Sequence, residues 1–202
     1  MTSNGVNPQT FIFLGNSGSG KGTQARLLES YIQKKNPEAS IFYLETGNHF
    51  REFIQSPSYS AELSRTLYEK GERQPDFLAV HMWSKALINE LSPRDTLIID
   101  GTPRSLPEAE ILSTALVFYN RSPAHFIFLN VSRAWSEERL RKRGRSDDTD
   151  VVKRIKRLDW FDLDVKPALV YVENNPAYTL HEINGEQSIE KVHTDIISDI
   201  FS

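Results

Sequence analysis

The sequence has 202 residues, a length that suits a single domain of roughly 100–200 residues, with or without inserts. Hydrophobic residues make up 39% and charged residues 25%, a balance that excludes collagen-like, low-complexity and strongly disordered chains. The net charge of −3 argues against broad binding to nucleic acids or anionic membranes, and the lack of cysteine excludes disulfides, thiolate metal sites and cysteine nucleophiles. The polar start lacks the layout of a signal peptide and no apolar run is long enough to span a membrane, so we expect a cytoplasmic protein.

Short apolar runs alternate with longer stretches of helical periodicity along the chain. The runs, which have the composition of strands buried on both faces, are residues 11–14, 41–44, 97–99, 126–131 and 178–183. Apolar residues within 78–91 and 189–200 recur at the spacing of one helix face. This alternation predicts an α/β fold with three layers, in which helices cover both faces of a five-stranded parallel sheet.

Residues 11–24, FIFLGNSGSGKGTQ, have the three parts of a P-loop in order: a buried strand, a glycine-rich turn and the start of a helix. The glycines let successive backbone N–H groups point at a phosphate, and Lys21 adds a full positive charge to that of the helix N-terminus. The common pattern has Ser or Thr directly after the lysine, whereas Gly22 stands between Lys21 and Thr23 here. The predicted ATP-binding residues of this loop are Gly18, Ser19, Gly20, Lys21, Gly22 and Thr23.

Further motifs follow the loop in the order found in adenylate kinases and related nucleoside monophosphate kinases, and the sequence resembles that family. They are GKGTQ at 20–24, TGNHFR at 46–51, GERQPD at 71–76, DGTPR at 100–104, and EERL with the following basic stretch at 137–148. The resemblance implies a P-loop NTPase-type domain over residues 1–202, with a helical monophosphate-binding insert at 45–75 and a very short lid at 143–146. It also implies a monomer that transfers the γ-phosphoryl group of ATP to AMP, with Mg²⁺ as cofactor.

The family pattern also implies a role for individual side chains. Arginine suits phosphoryl transfer because its rigid guanidinium binds phosphate in a bidentate manner and keeps its charge. The residues implied to be catalytic are Lys21, Arg104, Arg143, Arg145 and Arg157, with Arg154 as the alternative to Arg157. Those implied to bind the monophosphate are Thr46, Arg51, Glu72, Arg73, Gln74, Gly101, Arg104 and Glu108. Arg139 is expected to stack on the base of ATP, the backbone near Gln187 to contact its edge, and Asp100 to hold Mg²⁺ through water.

Glu108 departs from the family pattern, because adenylate kinases carry a glutamine there that contacts the acceptor adenine. An amide donates to adenine N1 and accepts from the N6 amine, whereas a carboxylate only accepts. Guanine offers two donors, N1–H and N2–H₂, that suit a carboxylate. The hypothesis is that base selectivity is relaxed or altered. The alternative is that Glu108 faces solvent, or accepts only from the adenine N6 amine, and that AMP remains preferred; AMP is ranked first.

The lid is the second departure. Short-lid members of the family place several residues between the positions of Arg143 and Arg145, whereas only Gly144 separates them here. We therefore expect a closure of small amplitude and some ATP hydrolysis without acceptor.

Two other functions stay open at this point: a kinase for GMP or a pyrimidine monophosphate, and a nucleotide-sensing module without efficient turnover. The retained lysine and arginines argue against the sensing module. Nucleic-acid binding is remote, because acidic residues at 147, 148, 150 and 159 dilute the basic stretch at 139–157. The expected partners are thus ATP and a nucleoside monophosphate.

Overall fold

The computed structural model describes residues 8–143 and 150–201. The strands are β1 (Thr10–Gly15), β2 (Ile41–Glu45), β3 (Thr96–Asp100), β4 (Ala124–Asn130) and β5 (Tyr178–Asn184). The helices are α1 (Lys21–Lys35), α2 (Thr46–Phe53), α3 (Tyr59–Glu69), α4 (Asp76–Glu90), α5 (Leu106–Phe118), α6 (Arg133–Arg143), α7 (Val151–Trp160), α8 (Lys166–Glu173) and α9 (Ile189–Phe201). A single π-helical turn, Phe161–Val165, joins α7 to α8.

The strands form one five-stranded sheet in the order β2-β3-β1-β4-β5, and every neighbouring pair is parallel. β1 lies in the middle, with Ile12 in register with Ile99 of β3 on one side and with Phe126 of β4 on the other. Because the strands are parallel, the P-loop, Glu45 and Asp100 all emerge at the same edge of the sheet. Open α/β sheets bind ligands outside the carboxyl ends of their strands, at the point where the strand order reverses.

The core lies on both faces of the sheet because successive side chains of the central strand point to opposite sides. Ile12 and Leu14 pack with Trp83 of α4 and Leu112 of α5 in one buried cluster. Phe11 and Phe13 belong to the other cluster, whose helical members are Ala25 and Leu28 of α1 and Val192 and Ile196 of α9. Helices on both faces of a five-stranded parallel sheet confirm the predicted fold class.

The fourth strand begins earlier than predicted. Residues 126–131 were expected to form it, whereas β4 runs from Ala124 to Asn130. Ala124 and His125 pair with Tyr178 and Thr179 of β5. The prediction missed them because His125 is polar and interrupts the apolar run.

The segment 45–75 contains α2 and α3, which agrees with the helical character expected of the insert; its division from the rest of the domain stays a prediction. Residues 144–149, which include most of the expected lid, lie outside the described residues. Among the described residues, no helix combines the length and the apolar character needed to cross a membrane.

Candidate active site

The loop between β1 and α1 depends on glycine at two positions. Gly18 and Gly20 have φ angles of 86° and 94°, in the left-handed region that side chains rarely adopt. A Cβ atom on Gly18 would lie 2.7 Å from the carbonyl oxygen of Ser136, so the loop also packs closely against α6. Gly20 is the N-cap of α1, whose first N–H groups lack partners within the helix. This end of α1 is therefore suited to binding an anion.

Lys21 stands at the first position of α1, and its Nζ donates to the carbonyl oxygen of Asn16 at 3.3 Å. The residue as a whole is partly buried, and protein atoms surround its ammonium group. Burial lowers the pKa of Lys21 to about 8; the charge of Asp100 raises it, and those of Arg104 and Arg157 lower it further. Several cations thus lie close to one another, an arrangement that a polyphosphate would stabilise.

These residues belong to one cleft of about 830 Å³ at the carboxyl edge of the sheet. The predicted site residues that line it are Gly18, Gly20, Lys21, Gly22, Thr23, Thr46, Arg51, Glu72, Arg73, Gln74, Asp100, Gly101, Arg104, Glu108, Arg139, Arg143 and Arg157. Ser19 and Gln187 are not among its lining residues. The predicted set is thus brought together from parts of the chain that are distant in sequence.

Asp100 ends β3 and faces the first turn of α1. Its Oδ2 accepts a hydrogen bond from the hydroxyl of Tyr43 at 3.4 Å and lies 2.9 Å from the position of a Cβ built on Gly22. Burial raises the pKa of Asp100, and the nearby Lys21 opposes that rise. The close approach explains why glycine stands directly after the lysine of the loop.

The side of the cleft formed by α2 and the loop after β3 is lined by hydroxyl and guanidinium groups. The hydroxyls of Thr46 and Thr102 share a hydrogen bond of 2.7 Å, which ties the start of α2 to the loop. Arg104 donates from Nε to the carbonyl oxygen of Gly101 at 2.6 Å. Guanidinium nitrogens of Arg51 and Arg104 lie 3.3 and 4.0 Å from the position of a Cβ on Gly47. Two cations therefore converge over the first turn of α2.

Glu45 and Asn48 hold the Arg51 side chain in place. The guanidinium donates to Glu45 Oε1 at 2.8 Å and also contacts Asn48 Oδ1. Asn48 in turn donates to Glu45 Oε2 at 2.8 Å. The Asn48 amide thus serves as both donor and acceptor in this network.

A second polar group lies at the start of α4. Arg73 binds Asp76 at 2.6 Å and approaches Asp164 of the π-helical turn at 3.5 Å. Asp76 also accepts from the hydroxyl of Ser105 at 2.6 Å. Gln74 has a different role, because its amide exchanges hydrogen bonds of 2.7 and 3.0 Å with the side chain and backbone of Ser64. These contacts fix the connection between α3 and α4 along the wall of the cleft.

Glu108 lies in the first turn of α5, where its backbone N–H donates to the N-cap Ser105 at 3.3 Å. Only 2% of the residue is exposed, although it lines the cleft. Burial raises the pKa of Glu108 to about 7, against the opposing charge of Arg104. The idea that Glu108 faces open solvent is therefore wrong.

Arg157 and Arg143 line the cleft from the side of α6 and α7. Arg157 reaches the P-loop, donating to the hydroxyl of Ser17 at 3.4 Å. Arg154 lies one turn earlier on α7, is 8% exposed and is not a lining residue. Arg145, the remaining predicted catalytic arginine, lies outside the described residues.

Arg139 and Gln187 were expected near the base of ATP. The guanidinium of Arg139 lies 4.8 Å above the ring of Trp135, one turn earlier in α6, and the residue lines the cleft. The Gln187 amide donates to the backbone of Asn184 at 2.9 Å and to Asp195 of α9 at 3.0 Å. The prediction for Gln187 concerned its backbone, and this side-chain arrangement leaves that prediction untested.

Some lining residues were missed from sequence. Arg26 of α1 stacks on the Tyr43 ring, with its guanidinium carbon 3.5 Å from the ring centre, and both residues line the cleft. Phe50, Ile54 and Tyr68 add an apolar part to the wall. Only the spacing from Gly22 and Thr23, four and three residues earlier and so on the same side of α1, could have pointed to Arg26.

A parallel sheet with a P-loop after its central strand, facing arginines and hydroxyls across one cleft, defines the class of P-loop nucleoside monophosphate kinases. The family model for adenylate kinase matches residues 13–176. The chain is 28% identical over 185 residues to an adenylate kinase of Flavobacterium psychrophilum, covering 90% of this chain and 92% of the relative. It is 30% identical to adenylate kinase 1 of a Nostoc species (90% and 92% covered) and to an adenylate kinase of Helicobacter hepaticus (93% and 95% covered).

The chain therefore belongs to the adenylate kinase family, as its motifs predicted. It is an ATP-dependent nucleoside monophosphate kinase.

Proposed function

We propose that this chain transfers the γ-phosphoryl group of ATP to AMP and so forms two molecules of ADP. The observation that carries the proposal is the cleft itself, in which Lys21 of the P-loop faces Arg51 and Arg104 on one side and Arg143 and Arg157 on another. ATP binds along the P-loop, and AMP binds between α2 and α5. The names of the relatives support AMP as the acceptor.

The mechanism relies on position and charge. The acceptor phosphate is already ionised, so no general base is needed to form the nucleophile. In the transition state, charge spreads over the oxygens of the transferring group, and fixed cations stabilise it. Arg51 and Arg104 hold the acceptor phosphate, because their guanidinium groups already converge over α2. Lys21 and Arg157 stabilise the transferring group from the P-loop side.

Mg²⁺ fits the oxygen atoms at this edge of the sheet. The Asp100 carboxylate lies beside the first turn of α1, and carboxylate oxygens are ligands that Mg²⁺ prefers. Among the described residues, no group of three or more His, Cys, Asp or Glu side chains could hold a metal by itself. We propose that Mg²⁺ arrives with ATP and is held through water by Asp100. When bound, Mg²⁺ neutralises phosphate charge in the transition state.

Arg157 is the better candidate for the later phosphate-binding arginine. It lines the cleft and contacts Ser17 of the P-loop, whereas Arg154 lies outside the lining. We propose that Arg139, which lines the cleft, stacks on the base of ATP. A role for Arg145, the limits of the insert and lid, the monomeric state and the cytoplasmic location remain predictions.

Replacement of Arg104 tests the proposal. We expect Arg104→Ala to lower kcat/KM for AMP about 10²–10³-fold, the usual effect of removing one donor to a developing charge. Arg94→Ala is the matched control, because Arg94 is exposed in the turn before β3, at the opposite edge of the sheet. ADP formation from ATP and AMP is the measurement. Equal rates for the two variants would contradict the proposed site, and ATP binding without ADP formation would favour a nucleotide-sensing module.

A further inference from the structure

Glu108 is a buried acid in the wall of the acceptor side of the cleft. It is 2% exposed and projects from the first turn of α5, directly after the loop that carries Arg104. No part of the phosphate chemistry described above uses it. Its position beside the proposed acceptor site makes the acceptor base its natural partner.

Three side chains present charge to this carboxyl group. Arg104 from the preceding loop favours the ionised form, and its backbone also forms a hydrogen bond to the carboxylate. From the start of α4, Asp76 favours the neutral form and Arg73 the ionised form. Arg73 is already bound to Asp76 and lies near Asp164, so part of its charge is compensated. The effect of burial exceeds these charges and sets the pKa of Glu108 at about 7.

The two forms of a carboxyl group match different bases. A neutral acid has one O–H donor and one carbonyl acceptor, which pair with adenine N1 and with the adenine N6 amine. It therefore reproduces the pattern of the glutamine amide. A carboxylate only accepts, so it pairs with guanine N1–H and N2–H₂ but places a lone pair against adenine N1.

We propose that Glu108 determines the acceptor base and that its proton acts as the switch: the neutral acid selects AMP, and the carboxylate admits GMP. This proposal rests on the proposed function, since it needs the acceptor base beside α5. Below pH 7 the group is mainly neutral and AMP is strongly preferred. Above pH 7 it ionises, binding of AMP weakens and binding of GMP improves.

The test is the ratio of kcat/KM for AMP to kcat/KM for GMP, measured with saturating ATP from pH 5.5 to 8.5. Both acceptors carry the same phosphate group, whose titration near pH 6 cancels in the ratio. We expect the ratio to fall about ten- to a hundredfold across this range in the unaltered protein, the discrimination that one mismatched polar pair provides. In Glu108→Gln, which keeps the donor and acceptor but cannot ionise, the ratio should stay high and constant.

The outcomes separate this proposal from the proposed function. A ratio independent of pH in the unaltered protein, with AMP turned over, would overturn the switch and leave the kinase reaction standing. The same fall in Glu108→Gln would overturn it also, because the titrating group would then lie elsewhere. Absence of AMP turnover at every pH would instead contradict the proposed function. If Glu108→Gln does not fold, the pH profile of the unaltered protein still decides, with Glu108→Asn as the second variant.

Discussion

Asp100 Oδ2 lies 2.9 Å from the position that a Cβ atom on Gly22 would occupy, so the acid at the end of β3 packs directly against the first turn of the P-loop helix. This spacing leaves no room for a side chain after Lys21. It also places the carboxylate beside the first turn of the P-loop helix, as the proposed role of Asp100 in holding Mg²⁺ through water requires.

Gly22→Ala should therefore impair catalysis without unfolding the protein. Alanine is favoured over glycine within a helix by about 0.5–1 kcal/mol, but its methyl group would displace the Asp100 carboxylate. A displacement of about 1 Å in such a site can lower activity about 10²-fold. The measurement is kcat/KM together with Tm, and Ser30→Ala on the exposed side of α1 is the control. Normal activity in Gly22→Ala would show that the position of Asp100 is unimportant.

Nucleotide binding should take up protons above pH 8. Burial lowers the pKa of Lys21 to about 8 in the free protein, so the amine is increasingly neutral as the pH rises beyond that value. A bound polyphosphate favours the charged form and draws a proton from the buffer.

Calorimetric titration with ATP and no metal, in two buffers of different ionisation enthalpy, measures this uptake. We expect up to one proton per ATP at pH 8.5–9.5, where the phosphates are already fully ionised. Binding without proton uptake at pH 9 would show that the pKa of Lys21 is not lowered. Lys21→Arg, which stays charged, should bind without uptake.

Arg157 and Arg154 lie one turn apart on α7, and we expect replacement of the first to affect activity and replacement of the second to affect stability. Arg157→Ala should lower kcat/KM about 10²–10³-fold with little change in Tm, because Arg157 lines the cleft and contacts the P-loop. Arg154→Ala should instead lower the free energy of unfolding by about 1–3 kcal/mol, because this side chain is 8% exposed and away from the cleft. Steady-state kinetics and urea unfolding of both variants distinguish them. The opposite pattern would assign the later phosphate-binding arginine to position 154.

A pair of histidines links the two last strands. His125 Nδ1 lies 3.0 Å from His181 Nε2, and His181 Nδ1 lies 2.6 Å from Asp199 of α9. Burial, and then the charge of His181, lower the pKa of His125 below its usual 6.5, so the folded protein resists protonation there. Stability is then present above pH 6.5 and declines as the pH falls below it.

His125→Gln should make the free energy of unfolding less dependent on pH, by the slope that corresponds to at most one proton bound on unfolding. The measurement is the free energy of unfolding in urea between pH 5 and 7.5, compared for the two proteins. An equal slope in both would show that His125 does not contribute to it.

The parts of the site that were predictable from sequence lie close together in the chain or at strand ends. The P-loop was evident because the buried strand, Gly20 and Lys21 are contiguous, and Asp100 because it ends a predicted strand. The side chains that brace the site were not, because their partners are distant in sequence: Tyr43 meets Asp100, and Ser105 meets Asp76, only in the folded chain.

The protonation state of Glu108 was likewise not predictable from sequence. Its residue type raised the question of base selectivity, but its burial and its distance from solvent depend on how α4 and α5 pack. A sequence pattern cannot show whether an acid is neutral near pH 7.

The most direct test of the central claim is ADP formation from ATP and each of AMP, GMP, CMP and UMP at pH 6, with Mg²⁺ present. At this pH the account predicts rapid turnover of AMP, with kcat/KM at least about tenfold above that of GMP. Preference for GMP or a pyrimidine monophosphate at pH 6, or absence of turnover with all four, would contradict it.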